Sequence, residues 1–128
     1  MRLMLVDDSL TVRKRLTDLC NEITTVEVVS TAATASEAVA ALYVYRPDVL
    51  VLDIHLGAQN AFDLLKVVGP QFPRMVVMLI TGGATEPYRA MASACGARYL
   101  FDKALDMSRL QETLIELSAT REEDGSAH

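Results

Sequence analysis

Polar residues repeatedly follow short apolar runs in this chain, and that repetition constrains the fold more than any other feature. The runs cover residues 3–6, 49–52, 75–80 and 99–101, and after them come Asp7 and Asp8, Asp53, Thr81, and Lys103. Short runs rich in Val, Ile, Leu and Met, separated by helix-like segments, indicate parallel strands that are buried on both faces. The residue after each run therefore lies at the carboxyl edge of the sheet, where open α/β sheets bind their ligands.

The length and charge of the chain exclude several classes of protein. With 128 residues, 51% of them hydrophobic, the chain has the material for one domain with a single core. A net charge of -5 and scattered Lys and Arg argue against direct nucleic-acid binding, which relies on clustered basic residues. The first apolar run is too short for a signal peptide, and no run approaches the roughly 18 residues of a membrane span. We therefore expect a soluble, cytoplasmic protein with no membrane partner, in which Cys20 and Cys95 stay reduced.

The segments between the apolar runs have the spacing of helices that bury one side. Apolar residues between Ser9 and Ile23 recur at steps of four, three and four, which is typical of an amphipathic helix. Helix starts are predicted at Ser9, Thr34 and Thr85-Glu86-Pro87, and helix ends at Arg46-Pro47, Gly69-Pro70 and Gly96. A last helix is predicted from Met107 onward because its apolar residues again recur at helical spacing.

Strands and helices alternate along the chain, with no repeat or low-complexity segment. A second strand is predicted over residues 26–30, at an edge of the sheet because Glu27 interrupts its apolar run. Right-handed crossovers between parallel strands place helices on both faces of the sheet. The periodic pattern ends near residue 119, so we expect one domain over residues 1–119 and a polar tail or linker over residues 120–128.

The polar residues at the predicted sheet edge suit phosphoryl chemistry. Asp7, Asp8 and Asp53 repel one another, so the cluster must either take up protons or hold a cation. Mg²⁺ combines one or two carboxylates with phosphate oxygens, which matches these side chains better than Zn²⁺ would. The Lys103 ammonium can neutralise an incoming phosphoryl group, and the Thr81 hydroxyl can donate a hydrogen bond to it. Asp53 is then the natural phosphoryl acceptor.

At these positions the chain resembles the receiver domain of two-component response regulators. The resemblance covers residues 2 to about 119 and rests on Asp7-Asp8, Val51-Leu52-Asp53-Ile54, Thr81-Gly82, Gly96-Ala97 and Phe101-Asp102-Lys103. Each motif alone is weak, but the five together, in the expected order along one βα repeat, are a strong match. The resemblance implies a flavodoxin-like, doubly wound α/β fold, (βα)5, with a five-stranded parallel sheet of order 2-1-3-4-5.

The resemblance further implies a phosphorylation-dependent switch that is not an enzyme beyond its own phosphotransfer and self-dephosphorylation. Asp53 would accept a phosphoryl group from a sensor histidine kinase or a phosphotransfer protein. Mg²⁺ or Mn²⁺ would be held by Asp8, Asp53 and the backbone carbonyl of His55, with Asp7 acting through a water molecule. An output partner would dock on the surface of helix 4, strand 5 and helix 5.

The switch itself departs from the family pattern. Phosphorylation in this family draws in a threonine and a lysine, here Thr81 and Lys103, and a nearby aromatic ring moves inward. The aromatic position is Leu100 in this chain, and Tyr99, one residue away, should face the opposite side of the sheet. Ala104 replaces the proline that usually follows the lysine. We expect a trans peptide bond there, because the cis form without proline costs about 2.5 to 4 kcal/mol.

The loops around the acceptor also depart from the pattern. Gly57 replaces a proline and Asn60-Ala61 replace Asp-Gly, so this loop should be less constrained than in other receivers. His55 and Gly83 occupy the two variable places that, in this family, border the path of the hydrolytic water and tune the lifetime of the phosphoryl group. We expect Gly83 to leave that path open and His55 to be a solvent-exposed residue at the rim. The alternative is that the His55 imidazole orients water or a donor.

Other functions are weighed against this one. A binding-only pseudo-receiver, suggested by Leu100 and Ala104, would dock partners without phosphorylation, and a receiver excised from a DNA-binding transcriptional regulator would control an output domain. An aspartyl phosphatase is disfavoured because Asp7-Asp8-Ser9 lacks the DxD pattern such sites need. A flavodoxin-type FMN module is disfavoured because adjacent acids would repel the cofactor phosphate.

Overall fold

The computed structural model describes residues 1–83 and 85–126, which form a parallel sheet covered by helices on both faces. The strands are β1 (Arg2–Val6), β2 (Glu27–Ala32), β3 (Val49–Asp53), β4 (His55–Leu56), β5 (Gln59–Asn60), β6 (Val76–Thr81) and β7 (Tyr99–Asp102). The main sheet has the order β2-β1-β3-β6-β7, and each of its pairings is parallel. Because β6 and β7 are the predicted fourth and fifth strands, the predicted order 2-1-3-4-5 and the flavodoxin-like fold are confirmed.

The helices of the described chain follow the strands as the sequence pattern predicts, except at the end of the last one. They are α1 (Leu10–Asn21), α2 (Ala35–Tyr45), α3 (Ala61–Val68), α4 (Glu86–Ala94) and α5 (Met107–Ser126), with a 3-10 turn at Gly69–Gln71. Periodicity is lost near residue 119, yet the backbone stays helical through Ser126. Ala, Arg and Glu in this stretch are good helix formers, so helix propensity can extend a helix beyond the end of its apolar stripe. Residues 127 and 128 of the predicted tail lie outside the described residues, and the domain boundary at 119 stays a prediction.

Alternate residues of the central strands fill two separate cores. Leu3 and Leu5 of β1 pack with residues of α1 and α5, whereas Met4 and Val6 pack with residues of α2 and α3. The residues of β3 alternate in the same way, and the four β1 residues after Arg2 are all buried. Burial of each such side chain contributes about 1.5 to 3 kcal/mol. Both faces of the sheet are therefore closed, and a polar ligand can reach the strands only at their ends. No helix of the described residues is long and apolar enough to span a membrane.

Polar side chains cap the helices that position the site. The predicted caps Ser9 and Thr34 are confirmed, since each accepts a hydrogen bond from the backbone N–H three residues later. Asn60 caps α3 in the same way through the N–H of Asp63, at 3.0 Å, and the sequence pattern did not predict this cap. At the end of α4, Gly96 has φ +86°, which confirms the predicted left-handed exit.

The segment after the third strand, for which the sequence predicts a loop less constrained than in other receivers, forms a small hairpin. Strands β4 and β5 pair antiparallel, with His55 opposite Asn60 and Leu56 opposite Gln59. Gly57 turns the chain between them with φ +63°, a conformation that the usual proline cannot adopt. The exchange of proline for glycine therefore allows a paired turn directly beside the acceptor.

Candidate functional site

The carboxyl edge of the sheet brings together the acidic residues predicted as metal ligands. Asp7 and Asp8 follow β1, and Asp53 is the last residue of β3, the neighbouring strand. Each of the three offers a carboxylate oxygen, and these oxygens lie within 4.8 Å of one another. Asp7 and Asp53 are buried, whereas Asp8 is exposed. The strand order thus produces a compact anionic cluster that solvent reaches from the side of Asp8.

A lysine closes the cluster from the other side of β3. The Lys103 ammonium, at the end of β7, lies 2.7 Å from Asp7 Oδ2 and 3.0 Å from Asp53 Oδ2. No other hydrogen-bond donor of the described residues reaches Asp7 Oδ2, which is buried. The second oxygen, Asp7 Oδ1, accepts a bond from the N–H of Ser9 at 2.8 Å, and this turn leads into α1. One ammonium is therefore shared by two buried carboxylates.

Burial and charge shift the protonation equilibria of this pair. Desolvation by burial raises the pKa of the Asp53 carboxyl, and the charge of Asp7 raises it further. Hydrogen bonds from Lys103 and from the N–H of His55 lower that pKa without cancelling the increase. Burial would lower the pKa of Lys103, but its bonds to Asp7 and Asp53 outweigh burial and raise it. The lysine stays charged, and the carboxylates still carry more negative charge than it can balance.

Thr81 ends β6 beside these residues, and its hydroxyl is occupied locally. The Gly83 N–H donates to Thr81 Oγ1 at 3.3 Å, and Thr81 Oγ1 lies 3.5 Å from the Gly83 carbonyl. The backbone N–H of Lys103 donates to the Thr81 carbonyl at 2.8 Å, which fixes the two residues side by side. The Thr81 side chain is buried, whereas Gly83 is exposed at the rim. The predicted site residues therefore lie together at one edge.

The loop after Lys103 is closed by two acids whose role the sequence pattern did not reveal. Asp102 Oδ1 accepts hydrogen bonds from the N–H groups of Ala104 and Leu105, at 2.8 and 3.1 Å. Asp106 Oδ2 accepts one from the N–H of Asp102 at 2.9 Å. None of the peptide bonds in residues 1–83 and 85–126 is cis, which confirms the predicted trans bond before Ala104. The spacing Asp102-x-x-x-Asp106 was visible in the sequence, but its partners depend on the fold of the loop.

Leu100, at the switch position, and its neighbour Tyr99 lie on opposite faces of β7, as predicted. Leu100 is half-buried in the core formed with α2, α3 and α4. Tyr99 packs in the core of the α1 and α5 face, with its ring stacked on Phe101 at a centroid distance of 5.8 Å. Tyr99 therefore does not replace the missing aromatic residue on the face of Leu100.

His55 is exposed at the rim, as predicted, but both its ring and its backbone make hydrogen-bonded contacts. Its Nε2 lies 3.1 Å from the hydroxyl of Tyr88, and its backbone N–H donates to Asp53 Oδ1 at 3.2 Å. From sequence, Tyr88 is expected to be a surface residue of α4 or a part of an output surface. The two residues are 33 positions apart, and no sequence pattern signalled their contact.

An acidic cluster and a lysine at the carboxyl edge of a doubly wound sheet are the combination expected of receiver domains. The family model described as response regulator receiver domain matches residues 3–115, so the chain belongs to that family. Similar solved structures include the response regulator domain of Thermotoga maritima CheB, with a TM-score of 0.80 and 24% identity over 94% of each chain. A CheY-like receiver domain protein from Methanospirillum hungatei JF-1 has a TM-score of 0.81 and 24% identity over 96% of this chain and 97% of that one. Both likenesses support the fold.

Curated relatives of this chain are longer proteins. The protein-glutamate methylesterase/protein-glutamine glutaminase of Bacillus subtilis (strain 168) is 29% identical over 90% of this chain and 34% of that protein. A protein of the same name, numbered 1, from Caulobacter vibrioides is 34% identical over 92% of this chain and 35% of that protein. The chain thus spans about a third of the length of these relatives.

Proposed function

We propose that this chain is a phosphorylation-dependent signalling switch in which Asp53 accepts a phosphoryl group. The observation that carries the proposal is the Lys103 ammonium, 3.0 Å from Asp53 Oδ2 at the carboxyl edge of the sheet. A carboxylate beside a lysine and two further acids combines a nucleophile with the charges that an incoming phosphoryl group needs. Membership of the receiver family makes a sensor histidine kinase or a phosphotransfer protein the donor that we propose.

The proposed transfer exchanges one bond to phosphorus for another. An Asp53 carboxylate oxygen bonds to phosphorus while the bond between phosphorus and the imidazole nitrogen of a donor phosphohistidine breaks. The departing nitrogen keeps the electron pair of the broken bond and takes a proton from solvent. Lys103 remains beside Asp53 and stabilises the negative charge that the phosphoryl oxygens bring.

The acidic cluster fits a hard divalent cation. Three carboxylates lie within reach of one ion, and Lys103 supplies a single positive charge against them. Carboxylate and carbonyl oxygens are the ligands that Mg²⁺ and Mn²⁺ prefer. We propose that Asp8, Asp53 and the backbone carbonyl of His55 hold the ion, with Asp7 acting through a water molecule. When bound, the ion supplies positive charge that neutralises the carboxylates and the phosphoryl oxygens.

Thr81 is the residue through which phosphorylation would reach the surface. Its hydroxyl now bonds within the loop to Gly83, and a phosphoryl oxygen on Asp53 is a stronger, charged acceptor. We propose that the hydroxyl turns to the phosphoryl group and that the Gly83 loop is released. This shifts a two-state equilibrium of the output surface, defined as the exposed face of α4, β7 and α5.

The proposed partners follow from this switching role. The phosphoryl donor contacts the acidic edge, and an output protein or domain contacts the output surface, in the cytoplasm and without direct nucleic-acid or membrane binding. The methylesterase and glutaminase names belong to relatives about three times as long. For these 128 residues we propose autocatalytic phosphotransfer and self-dephosphorylation, and no esterase activity.

Intact-mass spectrometry tests the acceptor assignment. With Mg²⁺ and a small acyl phosphate, the wild type should gain the mass of one phosphoryl group and Asp53→Asn should gain none. Asp63→Asn removes an exposed acid of α3 and is the matched control, which should be phosphorylated like the wild type. An equal gain in Asp53→Asn would contradict the proposal. Turnover of many phosphate esters per chain would indicate a phosphatase instead.

Calorimetric titration with Mg²⁺ tests the metal ligands separately. Asp8→Ala should bind Mg²⁺ at least tenfold more weakly, since it removes a ligand of the proposed site. Asp18→Ala removes an exposed acid of α1 and should bind the ion like the wild type. Equal affinities in the two variants would refute the metal assignment.

A binding-only pseudo-receiver is the second candidate, because Leu100 occupies the place of the switching aromatic residue. Such a protein would keep the receiver fold and bind its partner whatever the state of Asp53. An unchanged mass of the wild type, with Mg²⁺ and the donor both present, would favour that function.

A further inference from the structure

His55 connects the acceptor carboxylate to helix α4. Its backbone N–H donates to Asp53 Oδ1 at 3.2 Å, and its Nε2 lies 3.1 Å from the Tyr88 hydroxyl. The two rings meet edge to face, with centroids 5.6 Å apart and planes at 69°. Two consecutive hydrogen-bonded contacts therefore lead from Asp53 to the first turn of α4.

Tyr88 couples the contact with His55 to the position of α4. Ala92 is the buried residue of α4, so the fully buried part of this helix is a single small side chain. Tyr88 is half-buried, packs against the core of the α2 to α4 face, and lies beside Phe62 of α3 with a centroid distance of 6.2 Å. Because its ring has few torsions and is held by packing, a movement of α4 moves the Tyr88 hydroxyl relative to His55.

We propose that Tyr88 is a positioning residue that holds the His55 imidazole at the rim of the Asp53 site and thereby prolongs the life of the phosphoryl group. This inference rests on the proposed function. Dephosphorylation forms a bond between a water oxygen and phosphorus and breaks the bond between phosphorus and the Asp53 carboxylate oxygen. The inorganic phosphate that leaves keeps both protons of the water. Because Tyr88 occupies Nε2, that nitrogen is not available to orient the attacking water.

The contact also makes the lifetime sensitive to partners. An output partner that binds α4 and moves Tyr88 breaks or shortens the contact between the Tyr88 hydroxyl and His55 Nε2. It thereby changes the rate at which Asp53 loses its phosphoryl group. This route to α4 does not use the Leu100 position.

Dephosphorylation kinetics test the positioning role. Tyr88→Phe keeps the ring contacts and removes only the hydroxyl, and after removal of the donor it should release inorganic phosphate about two- to tenfold faster than the wild type, the range that one net hydrogen bond supplies. In a His55→Ala background, Tyr88→Phe should leave the rate unchanged, since its partner is absent. Arg89→Gln, at the next and exposed position of α4, is the matched control and should behave like the wild type.

A spectroscopic measurement tests the contact without phosphorylation. In the unphosphorylated protein, Tyr88→Phe should shift the ¹⁵N resonance of His55 Nε2, and Arg89→Gln should not. An unshifted resonance would show that the Tyr88 hydroxyl does not contact His55 Nε2. A rate unchanged by Tyr88→Phe, or an equal change in the His55→Ala background, would overturn the positioning role. If the wild type takes up no phosphoryl group, the proposed function fails and the lifetime role falls with it, whereas the resonance still decides whether the contact exists.

Discussion

Charge balance around Lys103 governs the residues of the site. The ammonium bridges Asp7 and Asp53, both buried, while Asp8 adds a third carboxylate at the exposed side. The pKa of Asp53 is raised because burial and the charge of Asp7 outweigh the hydrogen bonds from Lys103 and His55. Without a divalent cation, the ionised form of Asp53 therefore destabilises the folded protein.

Asp53→Asn should stabilise the metal-free protein at neutral pH, because it removes a carboxyl whose pKa is raised by burial and by the charge of Asp7. Since the folded-state pKa of Asp53 lies above its ordinary value of 3.8, its contribution to stability is present below that value and is lost as the pH rises through the folded-state pKa. The advantage of Asp53→Asn over the wild type should therefore shrink as the pH is lowered toward the ordinary pKa. Urea unfolding in EDTA at several pH values measures this difference. An advantage that does not vary with pH would contradict the raised pKa of Asp53.

Cys20 should resist thiol reagents in the folded protein. Burial raises the pKa of its thiol to about 12, so almost no reactive thiolate forms at neutral pH, and the side chain is inaccessible. The Cys95→Ser variant leaves Cys20 as the remaining thiol, because the sequence has two cysteines. Labelling of this variant with a thiol reagent should be slow in buffer and complete in denaturant. Rapid labelling in buffer would show that Cys20 opens to solvent.

At the scale of elements, helix caps and the small hairpin set the geometry of the acceptor loop. Asn60 pairs with His55 across the β4–β5 hairpin and also caps α3. The chain therefore passes from hairpin to helix with no free residue between them. The caps at Ser9, Thr34 and Asn60 are all local contacts, whereas the pairing of Asn60 with His55 depends on the turn at Gly57.

Asn60→Ala should lower the free energy of unfolding by about 1 kcal/mol, the usual effect of removing a helix cap. Asn60→Asp should retain most of the stability, because Asp also accepts the bond from the Asp63 N–H. Gln59→Ala changes the neighbouring exposed residue of the same strand and is the control. Chemical denaturation compares the three variants. Equal losses for Asn60→Ala and Gln59→Ala would mean that the cap contributes nothing.

For the whole molecule, the order of the strands decides what the site contains. Strands β1 and β3 are neighbours at the centre of the sheet, and their carboxyl ends carry Asp7, Asp8 and Asp53. Strands β6 and β7 continue the sheet and bring Thr81 and Lys103 to the same edge. Because all these residues belong to one cooperative sheet, a ligand bound at the edge stabilises the entire fold.

Mg²⁺ should therefore raise the stability of the whole domain. At a concentration of about 100 times its Kd, one bound ion adds about 2.7 kcal/mol to the free energy of unfolding. Thermal unfolding should shift upward with Mg²⁺ and return on addition of EDTA. Asp8→Ala should lose most of this shift and Asp18→Ala should keep it. A shift of equal size in both variants would point to binding elsewhere on the chain.

The prediction from sequence was most complete where the signals are local. Apolar runs, helix periodicity and cap motifs predicted the five strands of the main sheet, the starts of α1, α2, α4 and α5, and the edge at which Asp53, Thr81 and Lys103 lie. The alternation of side chains along a strand correctly separated Leu100 from Tyr99. The end of α5 was predicted too early, because a helix can continue on helix propensity after its apolar pattern ends.

The sequence by itself determined the class of fold and the chemical character of the site, because both follow from short-range patterns of apolar and polar residues. Only the tertiary structure decided which groups touch. The sharing of Lys103 between Asp7 and Asp53 and the pairing of His55 with Tyr88 depend on distances between elements. Such contacts arise when packing fixes the elements against one another, and no pattern of neighbouring residues encodes them.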